Sequence, residues 1–175
     1  SITSTEFWKH LRAVGLLPPD DFAALKSESD AESADPKTIA RRLVGERRLT
    51  RFQARLLLAG KASSLVVGDY LLSDRVEEGR LAGTFHAVHR ASHHPVALTR
   101  LDDDSLPQPL PLHPRLLRGY ETFAAGRTRV VVFERLAGAT AAEQAAGQGG
   151  LPPGRVIPLA DRILAALSAA HDAGQ

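Results

Sequence analysis

Apolar residues recur at helical spacing over the first third of the chain and at strand spacing over the middle. Thr3 and Glu6 have the pattern of a capping box that opens a helix. Phe7, Leu11 and Val14 follow at i, i+4, i+7 on one face, and Gly15 can stop the helix. Pro19 and Asp20 open a second helix, with Phe22 and Leu25 facing the core. Residues 27–34 alternate acids and serines without an apolar anchor and are expected to form a mobile loop. Asp35-Pro36 is a third start, an N-cap acid followed by proline at the first helical position; Ile39, Leu43 and Val44 form its apolar face. Thr50 and Gln53 make a second capping box, Phe52, Leu56 and Leu57 its core stripe, and Gly60 its end. The Phe22 and Phe52 helices echo one another, as two helix–turn–helix units that each need a partner to bury a face.

At Lys61 the period changes. Strands are expected around Tyr70, Leu72 and Val76, over 84–90, over 95–101, and over 119–123 and 129–133, the last two a hairpin across Ala125-Gly126. Helices are expected over 139–146 and 155–173, with Pro158 in the first turn of the latter, where its missing N–H costs little. Val156, Leu159, Ile163, Leu167 and Ala170 share one face of that helix and make a stripe that the chain itself is poorly equipped to bury. The expected class is α+β: a helical bundle over 1–61, then, over 66–175, a five-stranded antiparallel sheet followed by helices.

Charge sharpens this picture more than composition does. The 175 residues carry a formal charge of only +2, but residues 20–35 hold six acids and one lysine, and residues 37–61 hold eight basic residues and one glutamate. Two solvated faces that attract each other are the simpler reading; Arg41, Arg42, Arg48, Arg51 and Arg55 form a candidate docking surface, and a nucleic-acid site on this helical segment is the alternative. No apolar run reaches membrane-spanning length. Cysteine is absent, which excludes disulfides and thiolate metal sites and fits a cytoplasmic protein. Methionine is absent even from position 1, so the chain is read as a fragment or processed form. His86, His89, His93 and His94 are close in sequence, but parity puts His86 and His89 on opposite strand faces, and no metal site is expected.

Val67-Gly68-Asp69-Tyr70-Leu71-Leu72, Val76 to His89, Pro95-Val96-Ala97-Leu98-Thr99, Leu112-His113-Pro114 and Val131 to Gly138 follow one another in an order that, over residues 66–175, resembles the N-terminal half of a bacterial eukaryotic-like serine/threonine protein kinase. Val76-Glu77-Glu78-Gly79-Arg80-Leu81-Ala82-Gly83-Thr84-Phe85 is similar to the glycine-rich loop region, Pro95-Val96-Ala97-Leu98-Thr99 to the Val-Ala-Ile-Lys strand, and Leu112-His113-Pro114 to the approach to the fourth strand. Val131 to Gly138 resembles the fifth strand and hinge, and residues 165–174 the long helix before the catalytic loop. The resemblance implies an adenine slot lined by Val76, Gly79, Thr84 and Ala97, with backbone groups of Glu134 and Leu136 at the hinge and Phe133 gating the back.

The same alignment removes the chemistry. Of the three glycine positions, Glu77, Gly79 and Ala82, only the middle one is glycine, and Glu77 sets a carboxylate where nucleotide phosphates would lie. The lysine position is Thr99; Arg100 beside it points to the other strand face. The segment that would supply the lysine's helix holds Pro107, Pro109, Pro111 and Pro114, which a helix interior does not accept. The His-Arg-Asp and Asp-Phe-Gly motifs are not within the 175 residues. The resulting expectation is a non-catalytic, pseudokinase-like interaction or regulatory module that needs no cofactor, binds ATP weakly or not at all, and engages a protein partner or a second copy through the arginines above or through Ile163 and Leu167. Residual nucleotide binding by part of a true kinase is the remaining alternative.

Overall fold

The computed structural model describes residues 2–27, 35–79, 81–101 and 111–174. Of the expected mobile stretch at 27–34, Ser27 closes a helix and the rest lies outside the described residues, as do Arg80 of the glycine-loop resemblance and residues 102–110 of the proline-rich segment. The chain divides into two compact units, Ser1–Leu98 and Thr99–Gln175, whereas the sequence placed its boundary between 61 and 66.

Four helices open the first unit: α1 (Ser4–Val14), α2 (Pro19–Ser27), α3 (Pro36–Gly45) and α4 (Arg51–Leu58). Both expected capping boxes form. In α1 the Thr3 hydroxyl accepts from the Glu6 amide and the Glu6 carboxylate accepts from the Thr3 amide; Thr50 and Gln53 do the same in α4. Gly15 ends α1 in the left-handed conformation, φ 70°, which only glycine adopts without strain. Asp35 sits at the N-cap of α3, but its side chain makes no cap bond; its carbonyl accepts from Thr38 and Ile39. Phe7, Leu11, Val14, Ile39, Leu43, Phe52 and Leu57 are buried as their spacing requires, while Phe22 is only half-buried and stacks edge-on against Trp8 at 5.6 Å.

A 3-10 turn (Ala62–Leu65) leads into β1 (Val66–Val67), β2 (Tyr70–Arg75), β3 (Phe85–His89) and β4 (Pro95–Leu101). Each pairs antiparallel with the next, in the registers Val66 with Leu71, Leu71 with Val88, and Val88 with Pro95. The two-residue β1 raises the strand number of the described residues from the expected five to six; it is too short to show alternation in the sequence. The helices and strands of this unit share one core. Phe52 of α4 meets Phe85 of β3 at 6.1 Å. The register of β2 slips between Leu72 and Asp74, leaving Ser73 as the extra residue of a β-bulge. The α4 cap closes over this bulge: the Thr50 hydroxyl donates to the Ser73 carbonyl, and buried Gln53 donates its amide to the Leu72 carbonyl at 2.9 Å. Gln53 thus caps its helix with Oε1 and clamps the strand with its nitrogen.

The second unit holds β5 (Gly119–Ala125) and β6 (Thr128–Glu134), joined by the two-residue turn Gly126-Arg127. Gly126 takes φ 65° at the first turn position, as this hairpin type requires. Val130 and Val132 alternate inward. Helix α5 (Ala141–Gln148) opens on a third capping box, Thr140 with Glu143, and α6 spans Pro153–Asp172. Because α6 begins at Pro153, Pro158 lies inside the helix rather than in its first turn, and the bond its nitrogen would have given to the Gly154 carbonyl is lost. Among the described residues no helix is long and apolar enough to cross a membrane.

Candidate functional site

The first nominated site is the β2–β3 loop. It closes on itself: Val76 N–H donates to the Thr84 carbonyl at 2.8 Å, Gly83 to Val76 at 2.9 Å, Ala82 to Gly79 at 3.1 Å and Thr84 to Leu81 at 3.0 Å. Those four amides therefore point at the loop's own carbonyls. Gly79 and Gly83 carry φ of 80° and 89°, and a Cβ on either would meet open space, so glycine is there for conformation and not for close approach. The hollow under the loop, about 440 Å³, is lined by Arg75, Val76, Glu77, Ala82 and Gly83. Thr84, just before β3, and Ala97 of β4 are buried. Glu77 faces Arg55 of α4 at 3.9 Å, an exposed pair. Thr99 is half-buried and Arg100 exposed.

The remaining slot positions belong to the second unit. The Glu134 amide donates to the Arg118 carbonyl and its carboxylate accepts from the Arg118 amide, both at 2.8 Å, which commits them to the base of the hairpin. Leu136 is exposed and Phe133 is buried.

The arginines show how the polarised first half of the chain is used. Arg42 pairs with Glu46 at 2.8 Å; Arg48 reaches Glu46 at 3.4 Å and Asp21, in the acidic stretch, at 3.6 Å. Arg55 also lies over the Phe52 ring at 5.7 Å. Arg41 and Arg51 are exposed. Exposed pairs of this kind stabilise by about 0–1 kcal/mol each, but they hold three of the five nominated arginines against carboxylates.

On α6 the buried line is Ala166 and Ala170, with Leu159 half-buried. Val156, Ile157, Ile163, Leu164 and Leu167 are exposed. Of the expected stripe, Ala170 is buried and Leu159 half-buried, while Val156 and the nominated Ile163 and Leu167 form a surface.

His89 accepts at Nδ1 from the Ser92 amide, 3.1 Å, and lies edge-on to Tyr70. Among the described residues no three histidine or acidic groups converge on a possible metal position. Two capping boxes lower a carboxyl: Thr3 holds Glu6 below its ordinary value, chiefly through its amide and then its hydroxyl, and Thr140 does the same for Glu143.

One feature of the first unit has no counterpart among the sequence candidates. A groove of about 1580 Å³ runs between the α1–α2 corner and the outer face of β2–β3. Its residues come from four separate elements, so no local pattern marks them.

No protein-family model matches the chain, and no curated protein matches it in sequence.

Proposed function

We propose that this chain is a non-catalytic, pseudokinase-like interaction or regulatory module, acting in the cytoplasm. The observation that carries this reading is the self-closed β2–β3 loop. A phosphate cradle needs free backbone amides converging on the anion; here the amides of Val76, Ala82, Gly83 and Thr84 are bonded within the loop. Thr99, where the resemblance calls for lysine, brings no cation, and Glu77 brings a negative charge. The exposed aliphatic face of α6 supports the interaction half of the reading, since such clustered apolar surface is characteristic of contact sites.

A thermal-shift titration with Mg-ATP tests the first half. No saturable shift is expected at sub-millimolar nucleotide. Stabilisation by about a kcal/mol or more, the effect of a roughly tenfold excess over Kd, would overturn it.

A further inference from the structure

The groove of the first unit has a floor and a rim of different chemistry. Leu17 and Phe22 from the α1–α2 corner share the floor with Leu71 and Val88. Leu71 and Val88 are direct cross-strand partners. They alternate with the buried Tyr70, Leu72 and Ala87 and therefore stand on the opposite face of the sheet. All four floor residues are half-buried. The rim carries Arg12 from the last turn of α1, Lys26 from the last turn of α2, and Arg90 just beyond β3. None of the described residues that line the groove is acidic.

Size and charge together select the occupant. Small-molecule sites are usually enclosed and about 300–1,000 Å³; this groove is larger and open to solvent. A length of polypeptide fits it better than a compact ligand. An apolar floor under a cationic rim asks for large apolar side chains to fill the floor and carboxylates to meet the guanidinium groups. The chain's own acidic stretch does not answer, because residues 26–35 contain no large apolar side chain.

We propose that this groove docks a segment of another protein in which leucine or phenylalanine side chains are interspersed with aspartate or glutamate. It is a site separate from the β2–β3 loop and from α6, so ATP binding would overturn the non-catalytic reading without touching this one.

The chain's single tryptophan provides the readout. Trp8 packs edge-on against Phe22 of the floor at 5.6 Å, so an occupant pressing on Phe22 alters Trp8 emission. The whole chain is titrated with a panel of short peptides alternating glutamate with leucine or phenylalanine, with the same peptides carrying lysine for glutamate, and with phosphatidylglycerol vesicles. A saturable change is expected with the glutamate peptides, weakened by added salt because the rim is exposed. Reversing both guanidinium charges, Arg12→Glu with Arg90→Glu, is expected to weaken binding about tenfold or more. Val88→Asp should abolish it; if that variant unfolds, the double arginine variant, changed only at exposed positions, still decides. Equal binding of the lysine peptides, preference for the vesicles, unchanged affinity in the arginine variant, or no saturable change with any glutamate peptide would each overturn the proposal.

Discussion

The two compact units solve the burial problem differently. The first buries large side chains from both its helices and its strands, among them Phe7, Leu11, Leu43, Leu57, Leu65, Leu72 and Leu98. In the second, the buried hydrophobic residues among those described are Val130, Val132, Phe133, Ala166 and Ala170, while α6 leaves Val156, Ile157, Ile163, Leu164 and Leu167 exposed. Full burial of one large aliphatic side chain stabilises by roughly 1.5–3 kcal/mol; the five exposed on α6 are each about half in solvent, so the second unit forgoes on the order of several kcal/mol, a large share of the about 5–15 kcal/mol stability usual for a domain. The contrast teaches that the first unit buries its large side chains in its own core, whereas the second leaves an aliphatic surface in solvent.

The sharpest way to break this comparison is to cut into each unit in turn. Leu57→Ala, at a fully buried position, should destabilise by about 2–5 kcal/mol in chemical denaturation. A loss under a kcal/mol would mean that the first core is not the stabilising one.

Gln53→Glu tests the clamp between helix and strand. Glutamate still suits a capping box, but it cannot donate to the Leu72 carbonyl while ionised. Leaving one buried acceptor unpaired costs about 1–3 kcal/mol. Burial beside a carbonyl raises the new carboxyl's folded pKa, so the defect should be smallest at acid pH and should grow as pH rises past the unfolded value. A variant as stable as the parent at neutral pH would show that Gln53 serves the cap alone.

Leu167→Asp addresses the second unit. Because the side chain is half in solvent, unfolding stability should change by no more than about 0.5 kcal/mol, while self-association measured by light scattering, or capture of a protein partner, should fall. Unchanged association in a protein that is monomeric at high concentration would remove α6 from the interface.

The smallest effect concerns the exposed capping boxes. Glu6 and Glu143 titrate below their ordinary value of 4.5 when folded. Their contribution is therefore present above that value and is lost as pH falls through the lowered one. An NMR titration should place both carboxyl midpoints below 4.5, and Thr3→Ala, which removes the hydroxyl but keeps the amide donor, should raise only the Glu6 midpoint, and only part of the way. Movement of both would signal a global change and not a local cap.

Much of the local structure was legible in the residues. Thr3 with Glu6 and Thr50 with Gln53 mark helix starts because the groups that satisfy each other lie three residues apart. Residues such as Tyr70, Leu72, Val130 and Val132 alternate because a strand half-buried in a core forces a period of two. The bulge at Ser73 was not legible, since it is defined only by the partner strand. Nor was the fate of the α6 stripe, whose spacing states which residues share a face but not whether anything covers that face.

By itself, then, the sequence determined where most helices and strands begin and which side of each is apolar, because each of these depends on neighbours a few residues apart. Tertiary structure alone decided that α4 locks onto β2 through Gln53, that the acidic and basic stretches meet at Asp21 and Arg48, and that the α1–α2 corner and the β2–β3 pair line an open groove with a cationic rim. Those depend on contacts between residues far apart in the chain, and the free energy of such contacts is set by packing and desolvation that no local pattern encodes.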